Sequence, residues 1–165
     1  MDRLILLRHG DAERDSETGE DFDRRLSARG REESARMGET LAEFGLVPDL
    51  VLVSAATRTR ETWAALAQSF PQARVAFEDD LYLAEPERVR RAIEQACDGC
   101  GALMVIGHNP GLQELALGLL VEGSAQASAV DRVNNGFPTA AAAVFLFDGH
   151  GRPAYDGVFF PRDRR

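Results

Sequence analysis

Three short stretches place histidine or arginine beside residues that let the backbone turn or start a helix. Arg8-His9-Gly10 is the first, Ser54 followed at helical spacing by Arg58 is the second, and Gly107-His108-Asn109-Pro110-Gly111 is the third. Two of the chain's three histidines fall within them. A histidine near its ordinary pKa of about 6.5 is readily neutral at physiological pH. If one ring nitrogen then donates to a backbone carbonyl, the other offers its lone pair to an electrophile, and covalent catalysis divides one hard step into two easier ones. The arginines say which electrophile fits. A phosphoryl group in transfer spreads negative charge over three equatorial oxygens, and each guanidinium presents a planar fork of donors to such oxygens. All 19 basic residues are arginine, so an anion site here must be built from Arg or His. Taken singly, each stretch has a plainer reading. Arg-His-Gly occurs by chance, Gly-His-Asn-Pro-Gly suits a turn before a capped helix, and Arg58 suits a solvated helix face. Their joint placement decides between the readings.

That placement follows from the elements around them. Leu4–Leu7, Leu50–Val53 and Leu103–Ile106 are short apolar runs of the kind buried on both faces of a parallel sheet. Each runs directly into one of the three polar stretches. Between them the spacing predicts helices. One runs from an N-cap at Ser27 to about Phe44, stopped by Gly45. A second runs from about Thr57 to Phe70, ended by Pro71. A third opens at Pro86, with Val89, Ala92, Ile93, Ala96 and Cys97 inward, and a fourth follows an Asn109 cap and a first-turn Pro110. Arg74–Phe77, Ala140–Phe147 and Ala154–Phe160 read as further strands, the last two around the turn Asp148–Gly151. Asp11–Arg25 and Glu122–Gly136 read as loops, the latter with room for a short helical piece. Strands alternating with helices predict an α/β domain with a largely parallel central sheet. Ligands in such sheets bind beyond the carboxyl ends of the strands. If the three strands run parallel, Arg8, His9, Arg58 and His108 meet at one edge, with helix N-termini after Ser54 and His108 adding positive dipole ends.

Composition narrows the function classes. A chain of 165 residues fits one domain, 1–165, with a polar tail from about 161. The formal net charge of −8 disfavours wrapping nucleic acid, which needs a dense basic stripe. No apolar run reaches membrane-spanning length, and Leu4–Leu7 is too short for a signal peptide, so a cytoplasmic protein is expected. Cys97 and Cys100 are the only cysteines. One pair cannot complete a four-ligand zinc site, and ordinary reduced thiols are the expected reading. No carboxylate cluster suited to Mg²⁺ is visible, so no metal and no cofactor are expected.

These motifs together resemble the histidine phosphatase superfamily, also called phosphoglycerate mutase-like, and within it the SixA-like phosphohistidine phosphatases. Leu6–Ala12 resembles the opening motif, Arg25–Gly30 the start of the first helix, Ser54–Thr62 the second phosphate-pocket segment and Gly107–Gly111 the second-histidine motif. Phe137–Ala140 is similar to the entry to a late strand in the SixA-like branch. The similarity runs from about Leu4 to Phe147, with Ala55 where the family usually has Pro and Glu61 in place of a frequent Gln. It implies a three-layer α/β/α sandwich in which His9 is the phosphorylated nucleophile. Arg8, Arg58 and His108 would hold the phosphoryl group, with Asn109 beside them. The implied partner is a phosphorylated protein carrying phosphohistidine, or a small phosphorylated metabolite. A non-catalytic phosphate-binding module is the third reading. Mutase-type members also carry a mid-chain acid that protonates the leaving oxygen. Asp11, Glu13 and Glu85 are the candidates here, with Asp80 behind them. Arg24 and Arg25 read first as solvated loop residues, with contact to a substrate phosphate as the alternative, and His150 reads as an exposed turn residue without a role.

Overall fold

The computed structural model describes residues 1–96 and 98–161. Its strands are β1 (Arg3–Arg8), β2 (Leu50–Ser54), β3 (Arg74–Glu78), β4 (Ala102–Gly107), β5 (Ala142–Phe147) and β6 (Pro153–Phe159). Its helices are α1 (Ala28–Glu43), α2 (Thr57–Leu66), α3 (Pro86–Ala96), α4 (Gly111–Glu122) and α5 (Ala127–Asn134). The sheet order is β3-β2-β4-β1-β5-β6. The first four strands are mutually parallel, and β5 and β6 add an antiparallel edge.

Alternation along the strands explains the layers. Ile5, Leu7, Val51, Val53, Met104 and Ile106 face one side, where they pack with Met37 and Leu41 of α1 and Trp63 and Leu66 of α2. Leu4, Leu6, Leu52, Leu103 and Val105 face the other, against Val89 and Ile93 of α3, Leu112 and Leu115 of α4 and Val133 of α5. This is the expected three-layer sandwich. Leu4–Leu7 of β1 and all of β4 are shut off from water, and each such leucine or isoleucine contributes about 1.5–3 kcal/mol of burial. The runs that looked apolar throughout are the ones that had to lie between two helical layers.

Several local expectations change. α2 stops at Leu66 and a 3₁₀ turn, Ala67–Ser69, carries the chain on to buried Phe70. The short helical piece allowed for between Glu122 and Gly136 takes up about half of that segment as α5, whose Ala129 and Val133 are buried. β5 begins at Ala142, because Ala140 turns through φ 64° and donates its N–H to the carbonyls of Arg8 and His9. Asn109 does not cap α4; the helix starts at Gly111, and the Asn109 side chain bonds elsewhere. Ser27 does cap α1, accepting from Gly30 N–H at 3.0 Å. Cys100 is buried in the α3–α4 core, whereas Cys97 and the tail 162–165 lie outside the described residues.

The start of α1 is pressed against the turn after β1. Ser27 donates its hydroxyl to the Asp11 carboxylate at 2.7 Å and its N–H to the Asp11 carbonyl at 2.9 Å. A Cβ on Gly30 would sit 2.0 Å from that carbonyl oxygen. Gly30→Ala therefore has to push helix and turn apart. A loss of about 1–3 kcal/mol in denaturant unfolding is expected, the usual size of an overpacking penalty. An unchanged midpoint would show that the contact yields freely.

Candidate active site

The parallel sheet delivers the three stretches to one edge. Arg8 is the last residue of β1 and His9 the first beyond it. Arg58 lies in the first turn of α2, just after β2. His108 follows β4 directly. The two histidine rings stand with centroids 5.3 Å apart. A cavity of about 440 Å³ opens over them, lined also by Arg8, Arg24, Arg58, Asp11 and Asp21. A larger hollow of about 680 Å³ lies between α1 and the end of β6, but its lining has no histidine.

His9 is 8% exposed. Its Nδ1 lies 2.7 Å from the Gly10 carbonyl oxygen. A carbonyl can only accept, so Nδ1 carries the proton and Nε2 keeps its lone pair. Arg58 Nε donates toward that Nε2 at 3.4 Å. Burial holds the His9 pKa down at about 4, with help from the neighbouring charges of Arg58, Arg8 and Arg24. The turn is tied down on both sides. Gly10 N–H donates to Thr62 Oγ1 at 2.9 Å, and that hydroxyl donates to the Arg58 carbonyl at 2.7 Å. The His9 N–H donates to the Gly107 carbonyl at 3.1 Å. The nucleophile candidate and its arginine therefore share one hydrogen-bonded frame.

His108, 4% exposed, pairs its Nε2 with Ser54 Oγ at 2.8 Å. Burial, then the nearby His9 and Arg58, lower its pKa to about 3. Both rings are neutral at pH 7. The expected clamp is therefore two arginine cations and a neutral imidazole. Arg8 Nη1 and Asn109 Nδ2 both donate to the Phe137 carbonyl, at 3.0 and 2.9 Å. The Phe137–Ala140 segment thus anchors the site as well as entering a strand. Burial, then Arg58, also lowers the Arg8 pKa, and its Nε is buried without a protein partner.

The remaining candidates separate clearly. Asp11 lines the cavity but its carboxylate is engaged by Ser27. Glu13 lines a separate surface cleft. Glu85 is exposed and, like Asp80, is not among the residues around the cavity. Arg24 is at the cavity, held by the Glu13 carbonyl and the Asp21 carboxylate at 2.8 and 2.9 Å. Arg25 points away to Glu61 at 3.1 Å. His150 is exposed in its turn. Two residues had no signal in the sequence: Asp21, from the patternless stretch before α1, and Tyr82, just after β3. The Asp21 carboxylate accepts from Arg58 Nη2 at 3.0 Å and from the Tyr82 hydroxyl at 2.5 Å. The Tyr82 ring meets His108 edge-on at 5.5 Å. No cluster of three His, Cys, Asp or Glu that could hold a metal ion occurs among the described residues, and none of their helices is long and apolar enough to cross a membrane.

The depressed histidine pKa values have a consequence for stability. The unfolded chain takes up protons below about pH 6.5, where folded His9 and His108 still refuse them. Their contribution is complete above that pH and is lost as pH falls toward about 4 and about 3. The denaturation midpoint should drop between about pH 7 and pH 4.5, and drop less in the His9→Asn/His108→Asn variant. Equal drops in both proteins would mean the two rings are not held neutral by the fold.

Comparison with known proteins agrees with this geometry. Residues 4–82 match the model of the histidine phosphatase superfamily, branch 1. An uncharacterised protein of Mycobacterium tuberculosis is 35% identical over 148 residues, covering 86% of this chain and 92% of its own length. The structure of a protein assigned as phosphohistidine phosphatase SixA from Agrobacterium tumefaciens superposes with a TM-score of 0.84. It is 27% identical, and the match covers 97% of this chain and 98% of that one. A SixA assigned in the same way from Nakamurella multipartitia gives 0.84 at 25% identity, over 98% and 96%. The chain belongs to the histidine phosphatase superfamily, and it is a phosphatase.

Proposed function

We propose that this phosphatase removes the phosphoryl group from phosphohistidine on a protein, through a phosphorylated His9. The observation that carries the chemistry is the Nδ1–H···O=C bond from His9 to Gly10, which leaves Nε2 as a neutral nucleophile facing the cavity. Nε2 attacks phosphorus, and the bond from phosphorus to the substrate imidazole breaks. The departing ring takes a proton from solvent on its far nitrogen and leaves neutral. Water then attacks the phosphorus on His9, releasing phosphate and restoring the free imidazole. Arg8, Arg58 and His108 offer donors to the equatorial oxygens, with Asn109 fixing the Phe137 carbonyl on which Arg8 also rests. Donors aimed in advance at developing charge are typically worth about 3–4 kcal/mol each.

The substrate class is supported by what surrounds the cavity. Asp11 is spent on Ser27, and Glu13 and Glu85 lie elsewhere. The Tyr82 hydroxyl, then Arg24 and Arg58, hold the Asp21 carboxyl well below the usual carboxylate range, so it stays ionised. An alkoxide leaving group needs a proton, and general acids contribute about 10²–10⁴-fold. An imidazole leaving group does not need one from the enzyme. Between β3 and α3 only a 3₁₀ turn, Asp79–Leu81, and a few residues are available to cover the cavity, so a side chain on a folded partner has access. One observation favours a small phosphorylated metabolite instead: Arg24 is a third arginine at the cavity and can hold a second anionic group. The proposed enzyme is cytoplasmic and acts as one domain.

The test is kcat/KM for a phosphohistidine protein, a phosphohistidine peptide, and glycerate and sugar phosphates. The phosphohistidine protein should be preferred by about 10²-fold or more, the contribution a missing general acid withholds from phosphomonoesters. A metabolite preferred by a wide margin would hand the site to the small-molecule reading.

A further inference from the structure

Arg58 has a long side chain with rotamer freedom to lose on being fixed, and it is only 3% exposed. The hydrogen bonds of its guanidinium group go to His9 and Asp21. Nε faces His9 Nε2 at 3.4 Å. Nη1 and Nη2, the far end of the guanidinium, go to the backbone carbonyl and the carboxylate of Asp21, at 2.8 and 3.0 Å. A guanidinium is planar and its donors are fixed relative to one another. Holding the far end therefore aims Nε at the place where phosphorus would meet His9. Asp21 reaches across 37 residues of sequence to do this, from a stretch with a single 3₁₀ turn, Asp21–Asp23.

Asp21 is in turn held. Its Oδ2 accepts from the Tyr82 hydroxyl, and its Oδ1 from Arg24 Nη1 at 2.9 Å. The Tyr82 ring is fixed edge-on by Phe22 at 4.9 Å and by His108 at 5.5 Å, and the Arg58 guanidinium carbon lies 5.9 Å from its centroid. Phe22 is the residue next to Asp21, so the aromatic contact and the carboxylate contact fix the same turn. The side chains form a closed circuit: His9, Arg58, Asp21, Tyr82, His108 and back to His9.

We infer that Asp21 is a positioning residue that holds Arg58 in its phosphoryl-binding orientation, and that Tyr82 holds Asp21. The inference rests on the roles proposed above for His9 and Arg58. It differs from a general-acid role for Asp21, which the ionised state of the carboxyl opposes. It also differs from a purely structural role, because the end of Asp21 that matters is the one bonded to Arg58.

A double-mutant cycle with p-nitrophenyl phosphate separates these cases. Asp21→Ala should lower kcat by about 10–100-fold, the scale of a misaimed catalytic group. KM should change by less than about threefold, as for an interaction made mainly in the transition state. In the Arg58→Ala background, itself slower by about two to three orders of magnitude, Asp21→Ala should add less than about twofold. Tyr82→Phe should give a smaller loss that also vanishes in that background. Should Asp21→Ala fail to fold, Asp21→Asn carries the same comparison. Equal fold-losses with and without Arg58 would overturn the inference and give Asp21 a role of its own. A wild-type rate for Arg58→Ala would instead overturn the assignment of Arg58, and the inference with it.

Discussion

A carbonyl oxygen can only accept a hydrogen bond, and Gly10 sets one 2.7 Å from Nδ1 of His9. That contact decides the tautomer of the ring. It decides which nitrogen has a lone pair, and the attachment of His9 to the end of β1 decides where that lone pair points. The surrounding bonds preserve the arrangement. Thr62 on α2 accepts from Gly10, the Gly107 carbonyl at the end of β4 accepts from His9, and Ala140 donates to the His9 carbonyl from the far side. A one-residue turn is thereby fixed by three different segments of the fold. The contact between Ser27 at the start of α1 and Asp11 closes the same turn from below.

Burial does the electrostatic part. With arginines close by, a protonated His9 would be a buried like charge among cations, and the fold keeps the ring neutral down to about pH 4. The same environment that disfavours imidazolium favours an incoming phosphoryl anion, since both follow from positive charge in a poorly solvated place. The chain has a net charge of −8 overall, yet its cavity concentrates Arg8, Arg24 and Arg58. Local charge, not the overall sum, sets what binds. Asp21 is the counterweight: it takes up the far end of Arg58 without neutralising the edge that faces His9.

The fold and the core of the site were legible because each rests on a short-range rule. Apolar runs such as Leu103–Ile106, short and flanked by glycine, read as buried strands, and a polar residue directly after such a strand must emerge at its carboxyl end. His9 and His108 follow that rule and were found by it. Asn109 was misread as a helix cap because its residue type suits one, whereas its amide goes to the Phe137 carbonyl 28 residues away. α5 was legible only as room for a short helical piece, because its segment is polar and rich in small residues and its buried face is only Ala129 and Val133. Asp21 and Tyr82 could not be found at all. Their importance lies in one another and in Arg58, 61 and 37 residues away from Asp21 in sequence. No periodicity or motif marks a contact of that kind.

The central claim is that His9 attacks through Nε2. Rapid quenching of turnover at alkaline pH, followed by NMR or fragmentation of the modified peptide, reads the phosphorylated atom directly. The account predicts acid-labile, base-stable phosphate on Nε2 of His9, absent from His9→Ala. Phosphate on Nδ1, or label that persists in His9→Ala, would contradict it.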